Sequence, residues 1–68
     1  MKLNNRLKAE RERLALTQAA LAEKVGVSRK TINTVENAVF IPSTVLALKL
    51  SKALGRTVEE LFQLPETS

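Results

Sequence analysis

The chain has 68 residues, a net charge of +4 and a hydrophobic fraction of 44%. It contains no Cys, His, Asp, Tyr or Trp, which excludes disulfides and thiolate or imidazole metal sites and leaves few groups for acid–base or nucleophilic catalysis. We therefore expect no enzymatic activity, no metal and no cofactor, and the positive charge favours a polyanionic partner.

The apolar residues predict one small helical domain over residues 1–68. They recur at helical spacing between turn residues, and no segment has a strand pattern of useful length. No apolar run is as long as a membrane span, and the N-terminus lacks the apolar segment of a signal peptide, so we expect a cytoplasmic protein.

Turn and capping residues predict the limits of the first two helices. Asn4 or Asn5 caps the first helix, which continues to about Leu14. Thr17 caps the second, which covers residues 18–25.

A third helix follows almost at once. Gly26 ends the second helix as a C′ glycine. Ser28 caps the third, which covers 29 to about 37 and directs Ile32 and Val35 inward.

Two further helices complete the predicted set. Ser43 caps a fourth helix that is apolar nearly all round, and Gly55 ends it. A capping box that starts at Thr57 opens a fifth helix over 58 to about 64, and residues 65–68 form a flexible tail.

The second and third helices have the spacing of a helix-turn-helix over residues 18–37. Three residues separate them, so the two helices must cross steeply, and Gly26 permits the positive φ that such a turn requires. Ala22 is small enough for close approach, while Ile32 and Val35 lie six and nine residues beyond the glycine and anchor the third helix.

The segments QAALAEKVGVSRKTINTVEN, PSTVLALKLSKALG and VEELFQL extend this pattern. Together they resemble the short stand-alone regulators of the XRE family, the lambda repressor and Cro type, over most of the chain. The resemblance implies an all-α, five-helix, lambda-repressor-like DNA-binding domain. It further implies a sequence-specific transcriptional regulator of the repressor kind, with its third helix in the major groove of double-stranded DNA.

Candidate DNA-contacting residues follow from the positions that match the family. Base contacts are expected from the outward face of the third helix: Arg29, Lys30, Asn33 and Thr34. Backbone contacts are expected near the helix ends: Thr17, Gln18, Ser28, Thr31 and Asn37. Considered alone, Arg29 and Lys30 are more simply explained as part of a solvated helix surface. The helix-turn-helix around them favours contact with DNA.

Two further sets of residues are predicted to hold the structure together. The resemblance implies that Arg11 and Glu36 form a buried ion pair, a brace between the first helix and the end of the third. A homodimer is expected through a two-fold interface, matched by a palindromic operator. Its interface residues are predicted to be Leu3, Leu61, Phe62 and Leu64.

The segment after Asn37 departs from the family pattern. Ala38, Val39 and Phe40 replace the usual glycine, lysine and aromatic, and Ala15 replaces a glycine that commonly ends the first helix. Ala38 must either avoid a positive φ or adopt it at an energetic cost. The apolar connector also favours an alternative function, an antitoxin or adaptor whose main partner is another protein.

Overall fold

A computed structural model describes residues 3–66 of the chain. It contains five helices and one minimal pair of strands: β1 Asn4–Asn5, α1 Leu7–Arg13, α2 Gln18–Val25, α3 Arg29–Glu36, α4 Thr44–Leu54, α5 Val58–Leu61 and β2 Phe62–Gln63. The prediction of a five-helix, all-α fold is confirmed apart from the two short strands. The longest helix, α4, has 11 residues, and within residues 3–66 no helix has the length and apolarity that a membrane span requires.

Side-chain caps start four of the five helices at the predicted residues. Each cap accepts a hydrogen bond from the backbone N–H three residues ahead, which satisfies a donor without an intrahelical partner. These caps are Thr17, Ser28, Ser43 and Thr57. The carboxylate of Glu60 accepts a hydrogen bond from the backbone N–H of Thr57, and this completes the predicted capping box.

The start of α1 differs from the prediction. Asn4 and Asn5 lie in β1, three and two residues before the first residue of α1, although the Asn5 Oδ1 still accepts the backbone N–H of Leu7 at 3.1 Å. β1 pairs antiparallel with β2, with Asn5 opposite Phe62. A two-residue strand gives no alternation that a sequence pattern could reveal, so this pairing was not predicted.

The end of α5 also differs from the prediction. The helix ends at Leu61 rather than near Leu64, because Phe62 takes an extended conformation and enters β2. Residues 65 and 66 of the predicted tail have no helix or strand, and residues 67 and 68 lie outside the described part of the chain.

The core lies where α2, α3 and α4 meet, closed by α1 on one side and α5 on another. Its fully buried members come from all five helices: Leu7, Leu21, Ile32, Val35, Leu50, Leu54 and Leu61. The fourth helix buries one face through residues such as Leu50 and exposes Val45 and Leu48 on another. The apolar residues of α4 that do not enter the core therefore lie on the surface of the single chain.

Two alanines occupy the left-handed conformation that glycine favours. Ala15 has φ 57° and Ala38 has φ 59°. At the end of α3, the backbone N–H of Ala38 donates to the Val35 carbonyl at 3.1 Å, and that of Val39 donates to the Thr34 carbonyl at 2.9 Å. This is a Schellman ending with alanine, instead of the more common glycine, at C′, so this helix end carries backbone strain.

A buried carboxylate on α1 joins three parts of the chain. The Glu10 Oε1 accepts hydrogen bonds from the Nε of Arg13 at 2.6 Å and from the Nε of Arg56 at 3.1 Å. Arg13 also donates to the carbonyl of Leu54 at the end of α4, at 2.8 Å. The hydrogen bond from Arg13, with the charge of Arg56, lowers the pKa of Glu10 even though desolvation opposes the shift. An acid on the inward side of α1 is thus explained by its two cationic partners.

Replacing Ala38 by glycine is expected to stabilise the fold by about 0.5–1 kcal/mol, because relief of left-handed strain outweighs the added freedom of the unfolded chain. Ala15→Gly should act in the same direction. Urea unfolding followed by circular dichroism measures the effect. Ala9→Gly, at an exposed position inside α1, is the matched control and should destabilise by about 0.5–1 kcal/mol. Equal effects at Ala38 and Ala9 would contradict the interpretation.

Acid is expected to weaken the fold through Glu10. Its pKa in the folded chain lies below the ordinary value of 4.5, so the unfolded chain binds the proton more readily and stability falls as pH drops below about 5. Glu10→Gln should be less stable than the wild type at neutral pH and should lose less further stability in acid. Chemical unfolding at a series of pH values tests this. Glu23→Gln, at an exposed residue without an ion pair within residues 3–66, should keep the wild-type slope.

Candidate nucleic-acid interface

The turn between α2 and α3 fixes the direction of α3. Gly26 has φ 75° and ψ 35°, a left-handed conformation, and a Cβ built on it would meet no atom within 4 Å. Glycine is therefore favoured here by backbone conformation rather than by lack of space. Ala22 is buried where α2 meets α3, and Ile32 and Val35 are buried on the inward side of α3. The predicted helix-turn-helix is present, and one side of α3 is held by the core.

The opposite side of α3 carries the four residues predicted to contact bases. Arg29, Lys30 and Asn33 are exposed, while Thr34 is half-buried. At 3.6 residues per turn the four lie within an arc of about 140°. The Thr34 hydroxyl donates to the Thr31 carbonyl at 3.0 Å, so its methyl group and oxygen lone pairs remain available. The structure brings the four onto one surface, and their contact with DNA stays a prediction.

The charges at the start of α3 have no acidic partner among residues 3–66. Neither Arg29 nor Lys30 forms an ion pair within the described residues, and the first turn of α3 contains no acid. Both cations lie at the positive end of the helix dipole, where an anion is favoured and a cation is not. This end of the helix therefore concentrates positive charge at the protein surface.

The predicted backbone-contacting residues lie at the starts of α2 and α3 and at the end of α3. The hydroxyls of Thr17 and Ser28 act as cap acceptors, and Ser28 also lies 3.0 Å from the Thr31 hydroxyl. A hydroxyl that accepts one hydrogen bond can still donate another. Asn37 donates from Nδ2 to the Asn33 carbonyl at 2.9 Å, which leaves its second amide hydrogen free.

Gln18 is engaged inside the protein. Its Nε2 donates to the Glu36 Oε1 at 3.0 Å, so the side chain predicted to bind phosphate also supports the end of α3. The same Oε1 accepts a hydrogen bond from a terminal nitrogen of Arg11 at 3.2 Å. The start of α2 is thereby joined to both members of the predicted brace.

Arg11 and Glu36 form a bidentate ion pair. The Arg11 Nε lies 2.6 Å from the Glu36 Oε2, and the two side chains are 10% and 3% exposed. The remaining terminal nitrogen of Arg11 donates to the Leu16 carbonyl at 2.7 Å. Hydrogen bonding to Glu36 raises the pKa of Arg11 further above its ordinary range, with desolvation opposing. The guanidinium thus joins α1, the α1–α2 loop and the last residue of α3.

Asn5 is a second brace that the sequence did not reveal. Its Nδ2 donates to the Val35 carbonyl at 3.0 Å, across 30 residues of sequence. The sequence suggested a helix cap at Asn4 or Asn5, and only the local bond to Leu7 was visible from that pattern. The bond to Val35 depends on the β1–β2 pairing, which places Asn5 beside the end of α3.

The residues predicted at a dimer interface divide into two groups. Leu61 and Phe62 are buried in the core of the single chain, so they present little surface to a second copy. Leu64 is exposed and Leu3 is half-buried against the core. A two-fold interface remains a prediction, and from this set Leu3 and Leu64 are the residues that offer surface to it.

A family model for helix-turn-helix domains matches residues 7–61. YgzD, an HTH-type transcriptional regulator of Bacillus subtilis, is 39% identical over 64 residues, which is 94% of this chain and 97% of the relative. An HTH-type regulator of the archaeon Methanothermobacter thermautotrophicus is 44% identical over 61 residues, 88% of each chain.

The fold is also similar to that of a solved repressor. The P22 c2 repressor, crystallised with a synthetic operator, superposes with a TM-score of 0.77 at 39% identity, covering 79% of this chain and 82% of that one. The family model covers α1 to α5, and this agrees with the helix-turn-helix geometry of α2 and α3. The chain belongs to the helix-turn-helix family of lambda repressor and Cro-type (XRE) transcriptional regulators, which are DNA-binding proteins and not enzymes.

Proposed function

We propose that the protein is a homodimeric repressor that binds a palindromic operator in double-stranded DNA, with α3 in the major groove. The observation that carries the proposal is that Arg29 and Lys30, which form no ion pair within residues 3–66, lie at the positive end of a helix whose other side is fixed in the core. DNA supplies the missing negative partner through its phosphates and the acceptor edges of its bases.

The side chains on α3 suit the reading of base edges. Arg29 can donate two hydrogen bonds to O6 and N7 of guanine, and Lys30 can donate to the same acceptors or to a phosphate. Asn33 can pair with N6 and N7 of adenine, and the methyl of Thr34 can pack on that of thymine. Three of these four side chains are exposed without a hydrogen-bond partner among residues 3–66.

Phosphate contacts would hold the helix at the correct depth. The free backbone N–H groups at the starts of α2 and α3 attract anions, and the hydroxyls of Thr17, Ser28 and Thr31 lie beside them. Gln18 directly follows Thr17 and donates a hydrogen bond to Glu36 at the end of α3. A phosphate bound beside Thr17 would therefore be coupled to the position of α3.

A two-fold arrangement follows from the size of the reading surface. One α3 of 8 residues contacts few base pairs, and a second copy doubles the contacts at a site of matching symmetry. We expect half-sites about 34 Å apart, one turn of the duplex. The repressor assignment is supported by the similarity to the P22 c2 repressor, which was solved with an operator. Such a protein would act in the cytoplasm.

A second candidate function is an antitoxin or adaptor that binds another protein. The exposed connector after α3 favours it, since Val39 is 77% exposed and Phe40 and Ile41 are also exposed. In that case the main partner would co-purify from cells, and its binding would be unaffected by changes at Arg29 and Lys30.

In vitro selection from a random DNA pool is expected to yield a palindrome. Arg29→Ala/Lys30→Ala should weaken binding to the selected duplex at least about tenfold, because each sound bidentate contact discriminates by about 1–3 kcal/mol. The dependence of affinity on salt should become shallower as well. Lys49→Ala/Lys52→Ala is the charge-matched control, since it removes two exposed cations from α4.

Two results of this experiment would contradict the proposal. One is a selection that enriches no sequence. The other is equal weakening by the α3 and α4 double variants, which would mean that the net charge of the protein, rather than α3, determines binding.

Breaking the ion pair between α1 and α3 is expected to cost stability. Arg11→Met leaves the carboxylate of Glu36 buried with only Gln18 as partner, and a stranded buried charge costs about 3–5 kcal/mol. Arg11→Met/Glu36→Gln should recover part of that loss, because no charge remains unpaired. Urea unfolding measures both variants, and Arg6→Met, at an exposed arginine without an ion pair in residues 3–66, should be nearly neutral. If Arg11→Met lowers the free energy of unfolding no more than Arg6→Met does, the ion pair contributes nothing to stability.

A further inference from the structure

We propose that Asn5 is a positioning residue for DNA recognition. Its side-chain amide fixes the orientation of the last turn of α3, and that orientation determines how well the outward side of α3 meets the edges of the bases. The role in DNA recognition rests on the proposed function, whereas the contact between Asn5 and α3 does not.

The backbone holds Asn5 in a fixed place. In β1 it lies opposite Phe62 of β2, and Phe62 is buried in the core. The next residue, Arg6, donates its backbone N–H to the Leu61 carbonyl at 2.8 Å, so the antiparallel contact continues to the start of α1. Because the chain is held on both sides of Asn5, its side chain starts from a point that moves little relative to the core.

Both ends of the Asn5 amide are engaged. Its Oδ1 accepts the backbone N–H of Leu7 at 3.1 Å, and its Nδ2 donates to the Val35 carbonyl at 3.0 Å. Turning the amide over would place oxygen against oxygen at Val35 and an N–H against an N–H at Leu7. The amide therefore has one favourable orientation, in which its donor is directed at the last turn of α3.

The Val35 carbonyl joins Asn5 to the strained end of α3. It accepts the backbone N–H of Ala38 at 3.1 Å as well as the amide of Asn5, and a strained residue such as Ala38 persists only where its surroundings hold it. Asn5, Val35, Ala38 and Phe62 are among the residues around an internal space of only about 10 Å³. That volume is at the lower limit for a single water molecule, so water is a poor substitute for the amide.

Two directional contacts at adjacent residues orient α3. The apolar side chains of Ile32 and Val35 hold the helix against the core, but apolar contact has no preferred direction. Arg11 binds Glu36 through two hydrogen bonds, and Asn5 binds the preceding residue from a different element. A helix held at one point can pivot about it, whereas two contacts from separate elements leave one orientation. Loss of the Asn5 contact therefore lets α3 tilt about Glu36 while the core stays packed.

A tilt of α3 affects the two kinds of DNA binding differently. Hydrogen bonds to base edges need correct distances and angles, so specific binding depends on the orientation of the helix. Non-specific binding comes from attraction between cations and phosphates and depends mainly on charge. Partial unfolding lowers both affinities by the same factor, because it only reduces the amount of active protein. The ratio of specific to non-specific affinity therefore separates a positioning role from a merely structural one.

Two substitutions separate the functions of the Asn5 amide. Asn5→Ser and Asn5→Asp each keep an acceptor for the N–H of Leu7 and remove the donor to Val35. Asn5→Asp also keeps the size of the side chain, so it makes no room for water. The matched controls are Asn4→Ser and Asn4→Asp, because Asn4 lies in the same strand, is exposed and forms no side-chain hydrogen bond within residues 3–66.

Fluorescence anisotropy of labelled DNA measures the effect. Affinity is measured for the duplex chosen by in vitro selection and for a scrambled duplex of the same length, at one salt concentration. The Asn5 variants should lower the ratio of the two affinities at least about tenfold, comparable to one lost base contact, and the Asn4 variants less than about twofold. An equal loss on both duplexes, or a ratio close to that of the wild type, would overturn the proposal.

Amide hydrogen exchange, followed by NMR without DNA, tests the contact itself. The N–H groups that close the end of α3 should exchange at least about tenfold faster in Asn5→Ser than in Asn4→Ser; these belong to Ala38, Val39 and Phe40. The N–H of Leu50, buried within α4, is the reference and should exchange at similar rates in both variants. Unchanged exchange at the end of α3 would overturn the proposal whatever happens to DNA affinity.

The remaining outcomes are also decisive. Circular dichroism checks the fold, and Asn5→Ser carries the test if Asn5→Asp loses helical signal. Loss of signal in both variants would make Asn5 a structural residue and overturn the proposal. A wild type that selects no DNA sequence contradicts the proposed function, and faster exchange in Asn5→Ser would then still support the contact with α3.

Discussion

The fold depends on how the carboxylate of Glu36 is neutralised. An acid at the C-terminal end of a helix opposes the dipole, and Glu36 is nearly fully buried as well. Arg11 satisfies it with two hydrogen bonds, and Gln18 adds a third. Because these donors come from α1 and α2, the cost of burying one charge is offset only when three helices are correctly placed. The ion pair thus couples the formation of the core to the orientation of α3.

Local chemistry made much of this fold predictable. Caps at Thr17, Ser28 and Ser43 and the glycine turn at Gly26 each favour a few residue types at one position, so a sequence reveals them directly. The β1–β2 pairing and the bond from Asn5 to Val35 join residues 30 or more positions apart. They follow from the assembled fold and leave no local pattern.

The candidate DNA-binding surface was predictable to the same degree. Ile32 and Val35 define the inward side of α3, and the outward residues follow from helical geometry. The engagement of Gln18 by Glu36 was not visible, because either partner alone is an ordinary helix-end residue. The family resemblance supplied the pairing of Arg11 with Glu36, which spacing alone does not encode.

The two ends of α3 have opposite environments. The first turn presents two cations to solvent, while the last turn is anchored by Arg11 and Asn5 and continues into a strained Ala38. The backbone N–H groups of Val39 and Phe40 both donate to one carbonyl of α3. These two hydrogen bonds fix the start of the connector despite the energetic cost of a left-handed alanine. At 1.5 Å per residue the helix is about 12 Å long. The side chains predicted to contact DNA and the connector are therefore joined by one short helix, whose last turn is anchored to α1 by Arg11.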